Sequence, residues 1–203
     1  LQVSSVCVYA PEHQVGSVEE HGLLSEPVQA NVGYSYAKRM GERAALWSEL
    51  PHVVIVRPSN MYGPHDYFDD KAHVIPALIR KCIEQDVIQV HGSGQETREF
   101  LYVEDSVDGM LTALEHGNTH TVYNIGTHGH SRTSIADLLI LIQNATGTQD
   151  KPIYFTGGDA GDRDRWNNCQ RATDELGWCA QVSLADGLKR TVEWYLEQVQ
   201  VTA

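Results

Sequence analysis

The sequence is poor in positive charge. Fifteen Lys and Arg stand against 27 Asp and Glu, a formal net charge of −12 over 203 residues, and no local basic cluster reverses the sign. Such a surface repels nucleic-acid phosphates and anionic lipids, which speaks against a nucleic-acid partner. Long apolar runs are missing as well: none approaches the roughly 20 residues that a bilayer-spanning helix needs, and no basic segment with an apolar core and a cleavage site opens the chain. A cytoplasmic protein with no membrane partner is the expectation. Cysteine is scarce: Cys7, Cys82, Cys169 and Cys179 form no C-x-x-C pair and no short His/Cys ligand spacing. That argues against a disulfide framework and against a metal site, and points to reduced thiols. His13, His21, His116, His128 and His130 sit among polar or Gly-rich neighbours and are expected on the solvated surface.

The absence with the largest consequence concerns glycine. A dinucleotide-binding α/β protein opens with a strand, a Gly-rich turn and a helix whose N-terminus takes the pyrophosphate. "HGSGQET" contains G-x-G, but Thr97 stands where the third glycine belongs and a strand follows; "TGGDAGDR" has glycines without a preceding β-branched run. No internal repeat or low-complexity segment occurs.

What is present alternates strands with helices. A strand is expected to end at about Tyr9, followed by a polar loop through Pro27, a helix from about Tyr34 to Leu50 and the strand "HVVIVRP". "AHVIPALIRKCIEQ" reads as an amphipathic helix, "VIQVHG" and "REFLYV" as strands, and "VEDSVDGMLTALEH" as a helix with acidic residues at its start, where the macrodipole favours them. After the strand "HTVYNIG", "TSIADLLILIQNATG" starts at a Thr/Ser cap and ends at Gly. The tail adds a strand "PIYF", a loop "TGGDAGDRDRWNN", a short helix closing at "ELGW" and a last helix "LADGLKRTVEWYLEQV". This alternation implies an α/β fold with a mostly parallel sheet.

Tyr34 and Lys38 in "YSYAKRMGE" lie one helical turn apart and project from one face. An ammonium near a phenol stabilises the phenolate and makes an inert hydroxyl a usable acid/base at neutral pH. Y-x-x-x-K arises often by chance, but here it opens the helix after a strand bearing Ser4-Ser5, and the next strand ends in "RPSNMYGP".

Those segments, with "GSGQETREFLYVEDSVDGM", "YNIG" and "ELGW", cover nearly the whole chain. In that order they resemble the extended short-chain dehydrogenase/reductase family, specifically its NAD(P)-dependent nucleotide-sugar epimerases, dehydratases and reductases. The resemblance implies the C-terminal part of a Rossmann-type parallel sheet with a smaller α/β substrate-binding domain. Residues 1–62 and parts of 100–128 would form the second half of the NAD(P)-binding domain, and 63–99 with 129–203 the substrate-binding region. The Gly-rich half lies outside this sequence, so weak binding of NAD or NADP by these residues alone is expected.

Residue roles follow from the same resemblance. Ser5 matches the hydroxyl that hydrogen-bonds the sugar oxygen undergoing redox, Tyr34 the acid/base that exchanges a proton with it, and Lys38 the residue that binds the nicotinamide ribose and tunes the tyrosine. Ser4, His73 and the loop Pro58, Ser59, Asn60 and Met61 fall beside the nicotinamide, with Asn60 also reaching substrate. Arg98 and Arg163 match arginines that grip the sugar-nucleotide diphosphate, where a planar donor fork suits paired anionic oxygens. The family's 4,6-dehydratases resemble one another in carrying Asp-Glu where this chain has Val6-Cys7, which counts against dehydration. A cysteine there resembles the GDP-L-fucose synthase and GDP-mannose 3,5-epimerase branches, in which it moves protons beside a keto group, and His73 matches its partner in the synthase branch. His91 and Lys81 occupy substrate-contacting positions where that branch has tryptophan and arginine.

The implied activity is that of an NAD(P)-dependent epimerase/reductase acting on a nucleotide sugar, GDP-sugar favoured, in a homodimer. The rival within the class is a 3,5- or 4-epimerase that returns its hydride to the same sugar. From another class, the rival is a non-catalytic fragment or binding module.

Overall fold

In the computed structural model, which describes residues 1–28, 31–158 and 164–202, the chain opens with a short strand, β1 (Gln2–Val3). It does not continue to Tyr9. Ser5 Oγ accepts the N–H of Cys7 at 3.2 Å and caps a 3-10 turn over Val6–Val8. A side-chain acceptor close in sequence offers the backbone an alternative to the ladder, and here the alternative wins. The segment read as a polar loop also holds structure: a 3-10 turn at Pro11–His13, a strand β2 (Val15–Ser17) and a longer 3-10 turn at Glu19–Leu23.

Helix α1 (Val32–Leu46) precedes β3 (Val54–Pro58) and β4 (Asn60–Tyr62). Then come α2 (Val74–Glu84), β5 (Ile88–Val90), β6 (Thr97–Arg98) and β7 (Phe100–Tyr102). Helix α3 (Val103–His116), β8 (Thr121–Ile125) and β9 (Thr133–Ser134) follow. Helix α4 (Ile135–Thr146) starts at the expected cap, Ser134 Oγ accepting from Asp137 N at 3.0 Å, and stops at Gly147, whose φ of 71° closes the helix in the left-handed region. The chain ends with β10 (Ile153–Phe155), β11 (Asp164–Asn167), α5 (Gln170–Leu176) and α6 (Leu184–Thr202). Strand β11 is a further departure from the expected pattern, since it lies where a loop is expected.

The sheet β1-β3-β8 is parallel throughout, with β3 in the middle and Val54↔Thr121 through Pro58↔Ile125 as the register to β8. Every residue of β3 is buried, as suits a β-branched run with sheet neighbours on both edges. Two small parallel pairs, β4-β7 and β10-β5, accompany it. A four-stranded sheet of order β2-β11-β6-β9 is parallel except for its last pair. Ile75, Ile79, Leu138, Leu139, Ile142 and Leu188 form one apolar cluster between α2, α4 and α6; Val54, Val56, Leu101, Tyr123 and Ile125 form another around the three-stranded sheet.

Beneath the first turn lies a buried polar network. Arg57 on β3 grips Glu42 of α1 with two bonds, Nε to Oε1 at 2.8 Å and Nη2 to Oε2 at 2.7 Å, and its Nη1 reaches Tyr9 Oη and Glu19 O. Ser4 Oγ donates to the same Glu42 carboxylate, and Tyr9 Oη donates to Asn124 Oδ1 at 2.6 Å. Burial opposes the charge of Arg57, yet the Glu42 bonds and Tyr9 hold it above the usual arginine range. Tyr9 is pushed up to about 12 by burial.

Not all of the expected surface histidines are solvated. His13 and His21 are half-buried and stack at 4.3 Å, and His128 Nδ1 accepts the N–H of Cys169 at 3.1 Å. Among the described residues no helix is long and apolar enough to cross a membrane, and no group of three His, Cys, Asp or Glu side chains is placed to hold a metal ion.

Candidate active site

The C-terminal ends of β1 and β3 open on a cavity of about 550 Å³, where open α/β sheets place their ligands. The 3-10 turn brings Ser5 and Cys7 to its wall, and the first turns of α1 bring Tyr34 and Lys38. Lys38 Nζ donates to Val3 O at 3.0 Å and stands 5.5 Å from the centroid of the Tyr34 ring, so the ammonium is anchored to β1 and held against the phenol. Tyr34 is 51% exposed.

Where β3 ends, the chain makes a short passage along the cavity through Pro58, Ser59, Asn60 and Met61. Its backbone and side chains are tied down: Ser59 N donates to Ile125 O at 2.9 Å, Asn60 Nδ2 to Glu99 O at 2.8 Å, and Ser106 Oγ to Met61 Sδ at 2.9 Å. His73, the residue just before α2, lines the same space. Ser4 also lines it, but the Ser4 hydroxyl is engaged by Glu42.

Two cations also line the cavity. Arg98 on β6 and Arg165 on β11 are direct partners in the parallel register, and both line the cavity. Arg165 is almost wholly buried; its Nη1 donates to Cys7 Sγ at 3.7 Å and its Nη2 to Asn60 Oδ1 at 3.2 Å. With Lys38, these arginines make a positive cavity in a chain of net charge −12, with no carboxylate among the described lining residues. Such a site concentrates anions.

The structure therefore gathers Ser4, Ser5, Cys7, Tyr34, Lys38, Pro58, Ser59, Asn60, Met61, His73 and Arg98 on one cavity. Lys81 and His91 are elsewhere: Lys81 Nζ donates to Gln89 O at 2.8 Å beside β5, and the exposed His91 ring meets Thr156 Oγ1 at 3.4 Å. Arg163 lies outside the described residues. Arg165 is a residue that local pattern does not single out, because "GDRDRWNN" has the composition of a loop; in the strand it forms, alternation sets Arg165 and Asn167, both buried, on the opposite face from Asp164 and Trp166. Glu99, a charge inside the apolar run "REFLYV", was the other available signal.

Chemically the cavity offers a phenol with an adjacent ammonium, a hydroxyl, a thiol under a guanidinium, and an imidazole. That set can transfer protons at an oxygen and at neighbouring carbons while cations hold an anionic ligand.

Comparison with known proteins agrees with this content. The pattern of the NAD dependent epimerase/dehydratase family matches residues 1–126. A probable GDP-L-fucose synthase 1 of Oryza sativa subsp. japonica is 31% identical over 209 aligned positions, covering 98% of this chain and 62% of the relative. A dTDP-D-glucose 4,6-dehydratase of Homo sapiens is 33% identical, covering 90% of this chain and 53% of the relative. The chain thus spans between about half and two thirds of the length of these curated relatives. The crystal structure of a GDP-L-fucose synthetase from Naegleria fowleri bound to NADP superposes with a TM-score of 0.89 at 24% identity, covering 98% of this chain and 66% of that one, and shows the same fold.

Proposed function

Because the chain belongs to the NAD-dependent epimerase/dehydratase family, we propose that its cavity serves a nucleotide-sugar epimerase/reductase reaction of the GDP-L-fucose synthase type, with NAD or NADP as hydride carrier. One observation carries the choice among the family's reactions: Cys7 and His73 line the same cavity as Tyr34 and Lys38. A dehydratase needs carboxyl acid/base chemistry for the loss of water, and no carboxylate stands among the described lining residues. A thiol and an imidazole suit a different task, the exchange of protons at carbons acidified by a neighbouring ketone.

The residues present fit the nicotinamide end of the carrier: Tyr34, Lys38 and the passage Pro58–Met61 line one cavity. A nicotinamide held there would supply the hydride for C4 of the sugar. Tyr34 gives the proton to the C4 oxygen, Lys38 steadies the resulting phenolate, and Ser5 holds that oxygen by hydrogen bond. Before that step Cys7 takes a proton from a carbon beside the ketone and His73 returns one from the opposite face. Arg98 and Arg165 supply the donors that hold the anionic nucleotide sugar. Homodimerisation along α1, whose Tyr36 and Met40 are exposed, belongs to the same reading.

The test is hydrogen tracing with the active enzyme in deuterated water and a GDP-4-keto-6-deoxyhexose. The reading expects deuterium at the epimerised carbons, hydrogen from the nicotinamide at C4, and net consumption of NADPH. Cys7→Ser, which keeps the size but makes a far weaker acid, should suppress the exchange with little loss of substrate binding. Unchanged exchange in Cys7→Ser would overturn the assignment and leave a simple 4-epimerase or reductase driven by Tyr34.

A further inference from the structure

Glu99 is 1% exposed, and it touches both walls of the cavity without lining it. Its carboxylate accepts five hydrogen bonds: Oε1 from Thr127 N at 2.9 Å, Thr127 Oγ1 at 2.9 Å and Gly129 N at 2.8 Å, and Oε2 from Asn167 N at 3.1 Å and from Ser59 Oγ. Its main chain is equally committed, the N–H to Arg165 O at 3.1 Å and the carbonyl to Asn60 Nδ2 at 2.8 Å. Arg165 then reaches back to Asn60 Oδ1 at 3.2 Å, which closes a ring of contacts through Glu99, Asn60 and Arg165. The packing there is tight: a Cβ at Gly126 would come within 2.4 Å of Ser59 Oγ and 2.9 Å of a Glu99 oxygen.

We propose that Glu99 is the positioning residue of this cavity, setting the separation between the passage Ser59–Asn60 and the strand that carries Arg165. The five partners call for an acceptor, because three of them are backbone N–H groups that can only donate. Every group aimed at it is a donor, and a carboxylate is acceptor-only, with about four lone-pair sites to meet them. Glutamine has the same shape but turns an NH₂ towards one set of donors, so that donor faces donor and one wall is released. Aspartate keeps the charge but is one methylene short of spanning from the Thr127–Gly129 side to the Ser59–Asn167 side. The consequence for ligands rests on the function proposed above: an anion held by Arg165 and a group lying along Asn60 are kept at one spacing by a residue that contacts neither.

Glu99→Gln and Glu99→Asp, compared with the unaltered chain, decide the matter by two independent readouts taken well below the melting temperature. The first is NMR. In Glu99→Gln the amide protons of Thr127, Gly129 and Asn167 should move upfield, and the side-chain signals of Asn60 and Arg165 should move with them. The second is calorimetric affinity for GDP-L-fucose, which should weaken about tenfold or more in the folded variant. A structural role alone would lower the melting temperature and leave the Asn60 and Arg165 signals and the affinity of the folded fraction unchanged, and that result overturns the proposal. Should Glu99→Gln fail to fold, Thr127→Val, which deletes one donor, must give the same Asn60 and Arg165 displacements in smaller measure. If the unaltered chain binds no GDP-L-fucose, the functional reading falls, while the Asn60 and Arg165 signals still decide whether Glu99 positions the two walls.

Discussion

The guanidinium of Arg165 donates to the sulfur of Cys7 at 3.7 Å, joining residues 158 positions apart. The same fork holds Asn60, so one buried cation ties the thiol to the passage beside it. Arg165→Gln should lower kcat/KM of the active enzyme by about 10- to 100-fold, the range of a lost hydrogen bond to a charged group. Arg165→Lys keeps the charge without the fork and should fall between. Steady-state kinetics with both variants check this, and a Gln variant as active as the parent would remove Arg165 from the reaction.

Tyr34 is half exposed and sits under Lys38. Tyr34→Phe removes the proposed proton donor and leaves the ring, so turnover should drop by about 10² to 10⁴ with the melting temperature unmoved. Wild-type turnover in this variant would dismiss the acid/base role.

The Arg57–Glu42 pair is nearly inaccessible to solvent on both sides. Removing one partner strands a buried charge, at a cost of about 3–5 kcal/mol, or roughly 6–20 °C in melting temperature for a chain of this size. Arg57→Met and Glu42→Gln should each show it in thermal unfolding. Because Ser4 and Tyr9 belong to the same network, the double variant should lose less than the sum of the two.

Alkaline pH should destabilise the fold from about pH 9 upward. Burial pushes the Cys82 thiol from 9.0 up to about 11 and the Tyr9 phenol from 10.0 up to about 12. In both cases the folded state keeps its proton where the unfolded chain has lost it. Their stabilisation is complete below pH 9 and is lost as pH rises, first from 9 to 11 and then from 10 to 12, each on the order of 2–3 kcal/mol. Melting temperatures measured from pH 7 to pH 12 should be flat at first and then fall. Burial also raises the Cys169 thiol, so Cys82→Val should lessen the fall that begins near pH 9 without abolishing it, and a parent curve that stays level to pH 11 would contradict the assignment.

What the sequence made legible was whatever depends on near neighbours. Tyr34 and Lys38 share a helix face, so their spacing alone announces the pair. Ser134 and Gly147 mark the ends of α4 for the same reason. What stayed hidden depends on pairing across long separations. Strand β11 has partners at residues 15–17 and 97–98, and no local pattern reveals that "DRWN" will find them, so Arg165 passed for a loop residue. The stack of His13 on His21 likewise exists only because two 3-10 turns fold the intervening segment back. At Cys7 the local rule itself misled: an apolar run was read as strand, where a hydroxyl two residues earlier had already turned the chain.

The four-stranded sheet draws its members from residues 15–17, 97–98, 133–134 and 164–167. A chain emerging from the ribosome therefore has Cys7, Tyr34 and Lys38 available long before the strand that must close over them. Closure waits for contacts of very high sequence separation, which form slowly compared with helices such as α1. During that interval β2 lacks the strand it pairs with. The strand that supplies Arg165 is thus also the clasp that joins β2 to β6 and completes the sheet.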